Sequence, residues 1–560
     1  MATYSLGLDF GTESVRALLV DLESGREAAR AEFRYPGGVI SDALPVEGGP
    51  SLGRDWFLQD PEDYLTGLET VVPRCLQRAD ARGDEVVGIG LDFTSCTVLP
   101  VDRRGEPLCT KDEFRAEPQA WVKLWKHHGA AAEADRILSV AEERGEEFLD
   151  YYAHTISSEW LMPKVLEVLH RAPEIYEGAH TFVEAADWVT WRLTGRLVRN
   201  ACCAGYKGQY VADLGWPSGE MLAAVEPRMR NLFAEKMPGQ IVPPGTRVGG
   251  LTGGWADRLG LPEGTPVAAP LIDAHAALVG CGITEPGTMA LVLGTSFCHM
   301  TLAGELKLFE GVSGTVKEGI LPGWYGYESG QTAGGDVYAW CVQNCVPAAY
   351  EAEAERREEG LHELLTGRAR RLKPGQSGML GLDWFNGNRS VLMDAQLSGL
   401  LVGLTLETRP EEIYRTCIEA TMFGTRRIVQ AYRDADFGLD RFIACGGLPY
   451  RNELAMQILA DVLNHPVHVA ASEQTTALGS ALLGAAAAGS GGGGFDSVAE
   501  AAERVVRPAG IVFEPDAAAA ATYDGLYEDY LLLHDFFGRS ERLMHRLRSR
   551  HAGAEGAQGG

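Results

Sequence analysis

Nowhere in the 560 residues does an apolar run approach the roughly 18 uninterrupted positions that a membrane-spanning helix needs. The opening residues place an acid, Asp9, where a leader peptide would carry a basic stretch and an apolar core, so no secretory signal is expected. Positive charge is scarce: 50 Lys and Arg stand against 77 Asp and Glu, a net charge of −27. That balance excludes nucleic acid and anionic membrane as main partners, because nothing offsets phosphate repulsion globally. A small anion remains possible, since it needs only local cations and backbone N–H donors. The eleven cysteines are scattered and no CxxC pair occurs. Adjacent Cys202 and Cys203, and Cys341 and Cys345 one helical turn apart, read as buried apolar thiols in a reducing cytoplasm.

What is present is the texture of an α/β protein. At this length a single hydrophobic core is exceeded, so two or more domains are expected. Strand-like and helix-like segments alternate throughout. "VVGIGLDFT" (Val86–Thr94) reads as a buried strand, and "CTVLPVD" after it as a hairpin partner. "PKVLEVLHRAPEIY" carries Pro163 in a first helical turn; "ADWVTWRLTG" reads as a helix with Asp187 as cap and Gly195 as its end. Between 245 and 286 turns and small residues accumulate, which sets domains at 1–284 and 285–545 and leaves 546–560 as a disordered tail. "GAAAAGSGGGGFD" (Gly484–Asp496) reads as a helix end running into a flexible stretch, and "YDGLYEDYLLLHDFF" as a docking helix.

One pattern occurs twice. "LGLDFGTESVRALLVD" (Leu6–Asp21) is echoed by "MALVLGTSFCHMTLAG" (Met289–Gly304): apolar strand, Gly-Thr, polar turn, second apolar strand. Glycine lets backbone N–H groups approach phosphate oxygens, and a Thr or Ser hydroxyl adds a donor. Gly11, Thr12 and Arg16 in the first copy, with Gly294, Thr295 and Ser296 in the second, are therefore expected to clamp a polyphosphate between two domains. Asp9, just before the first turn, suits Mg²⁺ or its water shell. A third glycine signal, Gly446-Gly447 between a strand and a helix starting near Asn452, offers a flat place for adenosine. Glu13 beside the first turn is an awkward charge with no evident role.

"DFGTESVR", "APLIDAHAALVGCG", "LVLGTS", "SGLLVGLTLETRPEEIYRTCIEATMFG", "CGGLPYRN" and "TTALGSALLG" follow one another over most of residues 5–490. In that order they resemble the FGGY carbohydrate kinases of the actin/hexokinase-type ATPase superfamily. The resemblance implies two ribonuclease-H-like α/β domains facing across a cleft, with ATP and Mg²⁺ as cofactors and a small sugar as substrate. It puts the catalytic aspartate at Asp273, which the sequence alone could equally make a helix cap. His275 beside it reads as packing.

"GLDFTSCTVLPVD", "SSEWLMPKVLEVL", "ACCAGYKGQY" and "GYESGQTAGGD" are most similar to the branch that phosphorylates L-ribulose in arabinose use. That branch implies Ser95, Lys207, Asp273 and Glu328 around the sugar. Xylulokinase-like relatives carry Gln-Met-His near Val86–Thr94 and glycerol kinases Arg-Glu; this chain has "TSCT". Trp121, Trp125 and Trp160 are either sugar-stacking or core. D-ribulose, ribitol and xylulose stay open as acceptors. So does a different class, a non-catalytic actin-like nucleotide or sugar sensor, against which Asp273 counts. Whether the chain forms a homodimer cannot be read from these residues.

Overall fold

Both Gly-Thr stretches are hairpin turns at the centre of a sheet. In the structure, a computed structural model that describes residues 3–556, strands Tyr4–Phe10 and Ser14–Asp21 pair antiparallel with Phe10 opposite Val15. Thr288–Leu293 and Phe297–Ala303 repeat this with Leu293 opposite Phe297. The repeat extends well beyond the turns. Arg26–Arg34 adds antiparallel outside the first hairpin and Tyr325–Gln331 outside the second. On the other side Val86–Phe93 and then Pro266–Ala268 continue the first sheet in parallel, as Arg441–Cys445 and Val467–Val469 continue the second. Each sheet reaches seven strands with further edge pairings. The two halves therefore share one five-strand plan, the one expected of paired ribonuclease-H-like domains.

Strand Tyr4–Phe10 is buried at every residue because both faces of the sheet are covered, which is why it reads as a continuous apolar run. The expected hairpin between Val86–Phe93 and the next strand does not form. Val98–Val101 pairs instead with Thr181–Glu184 in a separate four-stranded sheet. Val86–Phe93 has no free edge, since Tyr4–Phe10 lies on one side and Pro266–Ala268 and Leu271–Ile272 on the other. Cys96, at φ +51°, turns the chain away. Asp187 is not the cap of helix Ala185–Thr194: it lies inside the first turn, where its carboxylate accepts from the backbone N–H and side-chain amide of Asn200 at 3.0 and 2.8 Å. Gly195 does end that helix in the left-handed conformation.

The helix Thr475–Ala488, late in the chain, lies on the first sheet. Its Ala477, Leu478, Ala481 and Leu482 share a core with Leu6, Leu8 and Ile89. Backbone approach is extreme there. A Cβ on Gly7 would sit 1.9 Å from the Ala477 carbonyl oxygen, and one on Gly90 1.9 Å from that of Ser480. The same helix crosses helix Asp273–Gly280 through Gly280 and Gly479, each facing backbone of the other helix. The small residues of "TTALGSALLG" are thus a packing requirement.

The glycine stretch that follows is folded, against the expectation of flexibility. Gly494 donates to Gly489 O, Phe495 to Ala485 O, and Ser490 N–H to Asp496 Oδ1, at 2.9, 3.1 and 3.0 Å. A Cβ on Gly494 would meet the Ala485 carbonyl oxygen at 2.0 Å, so glycine is there to let the chain fold back on the helix end. Helix Ala517–Asp535 docks on its own half: Tyr523, Tyr527 and Tyr530 pack on Phe423 of helix Pro410–Asp434. Helix Leu543–Gly556 runs through much of the stretch expected to be disordered, whose last residues, 557–560, lie outside the described ones. Among the described residues no helix is long and apolar enough to cross a membrane.

Gly90→Ala should lower the thermal midpoint by several degrees, consistent with the ~1–3 kcal/mol of overpacking. Gly254→Ala, in a helix with nothing within 4 Å of the new methyl, should leave it unchanged or raise it slightly. Parallel melting curves of the two variants check this.

Candidate active site

Three aspartates meet at the carboxyl ends of the first sheet's central strands, where open α/β sheets offer a crevice. Register sets Asp9 directly beside Asp92, and Asp92 beside Leu271 on the third strand. Asp273 then opens the helix that follows that strand. The three differ in surroundings. Asp9 Oδ2 accepts from Arg16 Nη1 at 3.1 Å and from the Thr476 hydroxyl at 2.9 Å. Asp92 is fully buried, accepts only from Ser480 Oγ at 2.6 Å, and is pushed far above the carboxylate range by burial and by Asp9. Asp273 is pushed up to about 7, chiefly by burial, although the Ala274 N–H at 2.7 Å pulls the other way. It is not the residue capping the helix: Ile272 occupies that position.

A second cluster bridges the two halves. Lys207 ends helix Ala201–Tyr206 of the first half, and Glu328 lies in the second sheet. The Lys207 ammonium sits 3.1 Å from Glu328 Oε1, both side chains buried. Burial and the nearby Arg389 pull Lys207 below its usual value. Arg389 is a partner the sequence did not disclose. It comes from the loop after strand Leu380–Leu382, contacts Glu328 Oε1, and carries no motif that would single it out. His275 reaches Glu328 Oε2 at 3.2 Å, but neither ring nitrogen is aligned for a hydrogen bond. Burial, Lys207 and Arg389 push its pKa well below the usual value, so the ring is neutral. It stacks at a tilt on Tyr206, with centroids 4.3 Å apart, in keeping with its reading as packing. A buried carboxylate ringed by cations, with an unbonded imidazole beside it, is well suited to hydroxyl groups that both donate and accept.

Ser95 lies half-buried in the turn after Val86–Phe93. Of the three tryptophans, Trp121 is core with its indole on Arg115 O, and Trp160 is buried against Tyr152. Trp125 is exposed, and its Nε1–H donates to Thr12 Oγ1 at 3.0 Å. The Thr12 carbonyl accepts from Gln59 at 2.6 Å, so the first turn is held from two sides. Arg16 is committed to Asp9, with Glu32 3.7 Å away. Glu13 is exposed.

In the second turn, Gly334 and Gly335 N–H bind the Thr295 and Gly294 carbonyls at 2.7 and 2.9 Å, leaving Thr295 exposed and Ser296 half-buried. Gly446, at φ +89°, passes so close to Leu293 that a Cβ would meet its carbonyl oxygen at 2.6 Å. Gly446-Gly447 therefore adjoin the second Gly-Thr turn. Asn452 is buried and spends its side-chain oxygen capping helix Glu453–Leu463, accepting from Ala455 N–H at 3.0 Å. For a divalent cation, the described residues contain no cluster of three or more His, Cys, Asp or Glu ligands. A single carboxylate, Asp9, matches Mg²⁺, which keeps most of its waters and leans on substrate phosphates.

Two models of the FGGY family of carbohydrate kinases match this chain, the N-terminal domain over residues 4–280 and the C-terminal domain over 289–488. A ribulokinase of Geobacillus thermodenitrificans is 48% identical over 546 residues, covering 97% of this chain and 96% of its own. One of Shouchella clausii is 47% identical over 557 residues, 99% of each chain. Xylulose kinase from Rhodospirillum rubrum, solved as a crystal structure, shares the fold with a TM-score of 0.77 over 95% of this chain and 98% of its own, at 23% identity.

Glu328→Gln would leave Lys207 and Arg389 facing each other without an anion. Breaking a buried pair from one side costs about 3–5 kcal/mol, and the partial exposure of Arg389 places this case at the low end. A markedly lower melting temperature is expected, with Lys207→Met on top of it recovering most of the loss. Additive losses in the double variant would show that the two groups are not coupled.

Proposed function

The chain belongs to the FGGY family of carbohydrate kinases, and on that footing we propose that it transfers the γ-phosphoryl group of ATP to L-ribulose, giving L-ribulose 5-phosphate. The observation that carries the chemistry is the placing of Asp273, with a pKa of about 7, between the Asp9 cluster and the Lys207–Glu328 pair. The acceptor rests on the relatives named ribulokinase, at 47–48% identity over nearly the whole chain.

Asp273 takes the proton of the terminal hydroxyl as its oxygen bonds to the γ-phosphorus. The bond from phosphorus to the bridging oxygen breaks and ADP leaves. Glu328 accepts from sugar hydroxyls and Lys207 donates to them, with Ser95 completing the set. An acceptor lacking a matching hydroxyl would leave a buried charge unpaired. Gly11, Thr12, Gly294, Thr295 and Ser296 hold the phosphates from the two halves, and Gly446-Gly447 lie against adenosine. Asn452 acts there through its cap, which orders the helix behind the turn. Arg16 positions Asp9 and adds positive charge nearby. Mg²⁺, when bound, neutralises phosphate charge; Asp9, oriented by Arg16 and Thr476, is the residue that would hold it through its waters. Because Lys207 and Glu328 come from different halves, sugar binding favours a closed cleft and keeps water from the γ-phosphate. All eleven cysteines are free thiols, which suits the reducing cytoplasm we assign to the enzyme.

A base must be ionised to act, so kcat/KM should fall about tenfold per pH unit below 7 and level off above it. Asp273→Asn should lose at least about a hundredfold in turnover. A coupled ADP-release assay over pH 5.5–9 checks both, run against L-ribulose, D-ribulose, D- and L-xylulose, ribitol and glycerol. Preference for another acceptor would keep the kinase and overturn L-ribulose. No turnover on any of them would favour the sensor.

A further inference from the structure

Lys164 is completely buried in helix Leu161–Arg171, and no role assigned above uses it. Its ammonium has no carboxylate at bonding distance. It donates to two backbone carbonyls instead, Cys96 O at 2.5 Å and Leu124 O at 2.6 Å. Cys96 follows Ser95 directly, in the left-handed conformation that closes the proposed sugar turn. Leu124 directly precedes Trp125, whose indole N–H holds the Thr12 hydroxyl of the first phosphate turn. One buried cation therefore ties together the turn read as touching sugar and the loop that holds the turn read as touching phosphate.

The setting makes that tie specific. Burial pushes the Lys164 ammonium down to about 8, and Glu184, an acid that acts on it from nearby, is itself pushed up to about 8 by burial. Lys164 is thus an expensive residue to bury, with no full counter-ion to offset it. A packing role would be met by a methionine of similar length. The Trp125 loop is also anchored independently of Lys164, because Lys123 and His127 both contact the buried Glu167 at 3.1 and 2.9 Å. Losing Lys164 should leave that anchor in place and release only the link to the Ser95–Cys96 turn.

We propose that Lys164 is a positioning residue that couples the sugar turn at Ser95–Cys96 to the phosphate turn at Thr12 through the Leu124–Trp125 loop, so that occupancy of either site favours the other. This rests on the assignments of Ser95 and Thr12 made above. Coupling between sites is reciprocal and can be measured as a ratio of affinities.

The test titrates a non-hydrolysable ATP analogue into the protein with and without saturating L-ribulose, in wild type, Lys164→Met, Lys164→Arg and Trp125→Phe. In the wild type the sugar should tighten the analogue at least about fivefold. In Lys164→Met and in Trp125→Phe that ratio should fall toward one, while each ligand alone binds within about threefold of wild type; Lys164→Arg should restore most of the ratio. A merely structural role would weaken both ligands and leave the ratio unchanged, and that result overturns the proposal, as does a wild-type ratio of one. If Lys164→Met fails to fold, Trp125→Phe decides: an unchanged ratio there also overturns it. Failure of the functional reading is seen separately, as absence of L-ribulose phosphorylation by the wild type. The same ratio is then measured with whichever acceptor is turned over, and retention of that ratio in Lys164→Met still overturns the link.

Discussion

The contact on which the rest depends is backbone against backbone: helix Thr475–Ala488 laid on strands Tyr4–Phe10 and Val86–Phe93. Gly7, Gly88 and Gly90 on the sheet and Gly484 on the helix carry no side chain, so the two backbones meet directly at these points. Close approach at these points brings Ser480 to Asp92 and Thr476 to Asp9. It also seats helix Asp273–Gly280 against the same surface. A helix whose Ser480 lies 388 residues downstream of Asp92 thereby sets the surroundings of all three aspartates.

Electrostatics then divides that cluster into distinct functions. Neighbouring carboxylates raise one another, and Asp9 acts in this way on both Asp92 and Asp273. Asp9 is held by Arg16 and Thr476, burial and Asp9 raise Asp92, and burial brings Asp273 up to about 7. Across the cleft, Glu328 gathers Lys207 and Arg389 into a buried polar floor. Its members come from both halves, so the site is complete only when the halves are together. Positioning for phosphoryl transfer is therefore a property of the relative placement of two similar sheets.

Much of this was legible where the chemistry is local. The Gly-Thr hairpins, the end of a helix at Gly195 and the Gly446-Gly447 turn each depend on a few consecutive residues, and each appears as read. Readings that required knowledge of neighbours went astray. Val98–Val101 has strand propensity but no access to Val86–Phe93, whose edges are occupied by strands far away in sequence. Asp187 has the chemistry of a cap yet serves Asn200 from inside its helix. The glycines of 489–494 look flexible in isolation, and are ordered because the helix end behind them leaves no room for a Cβ. Arg389 lacked any local signature, since its partner Glu328 is 61 residues away in the sequence.

By itself the sequence determined the duplicated strand–turn–strand plan, the acid at the head of helix Asp273–Gly280 and the family, because these reside in short stretches whose backbone conformation is set by glycine, side-chain type and hydrophobic period. Only the tertiary structure decided which acid burial raises, which cations meet Glu328, and that Lys164 bridges two turns. Ionisation and hydrogen bonding depend on dielectric surroundings and on distances of a few ångströms between residues that the chain brings together only when folded.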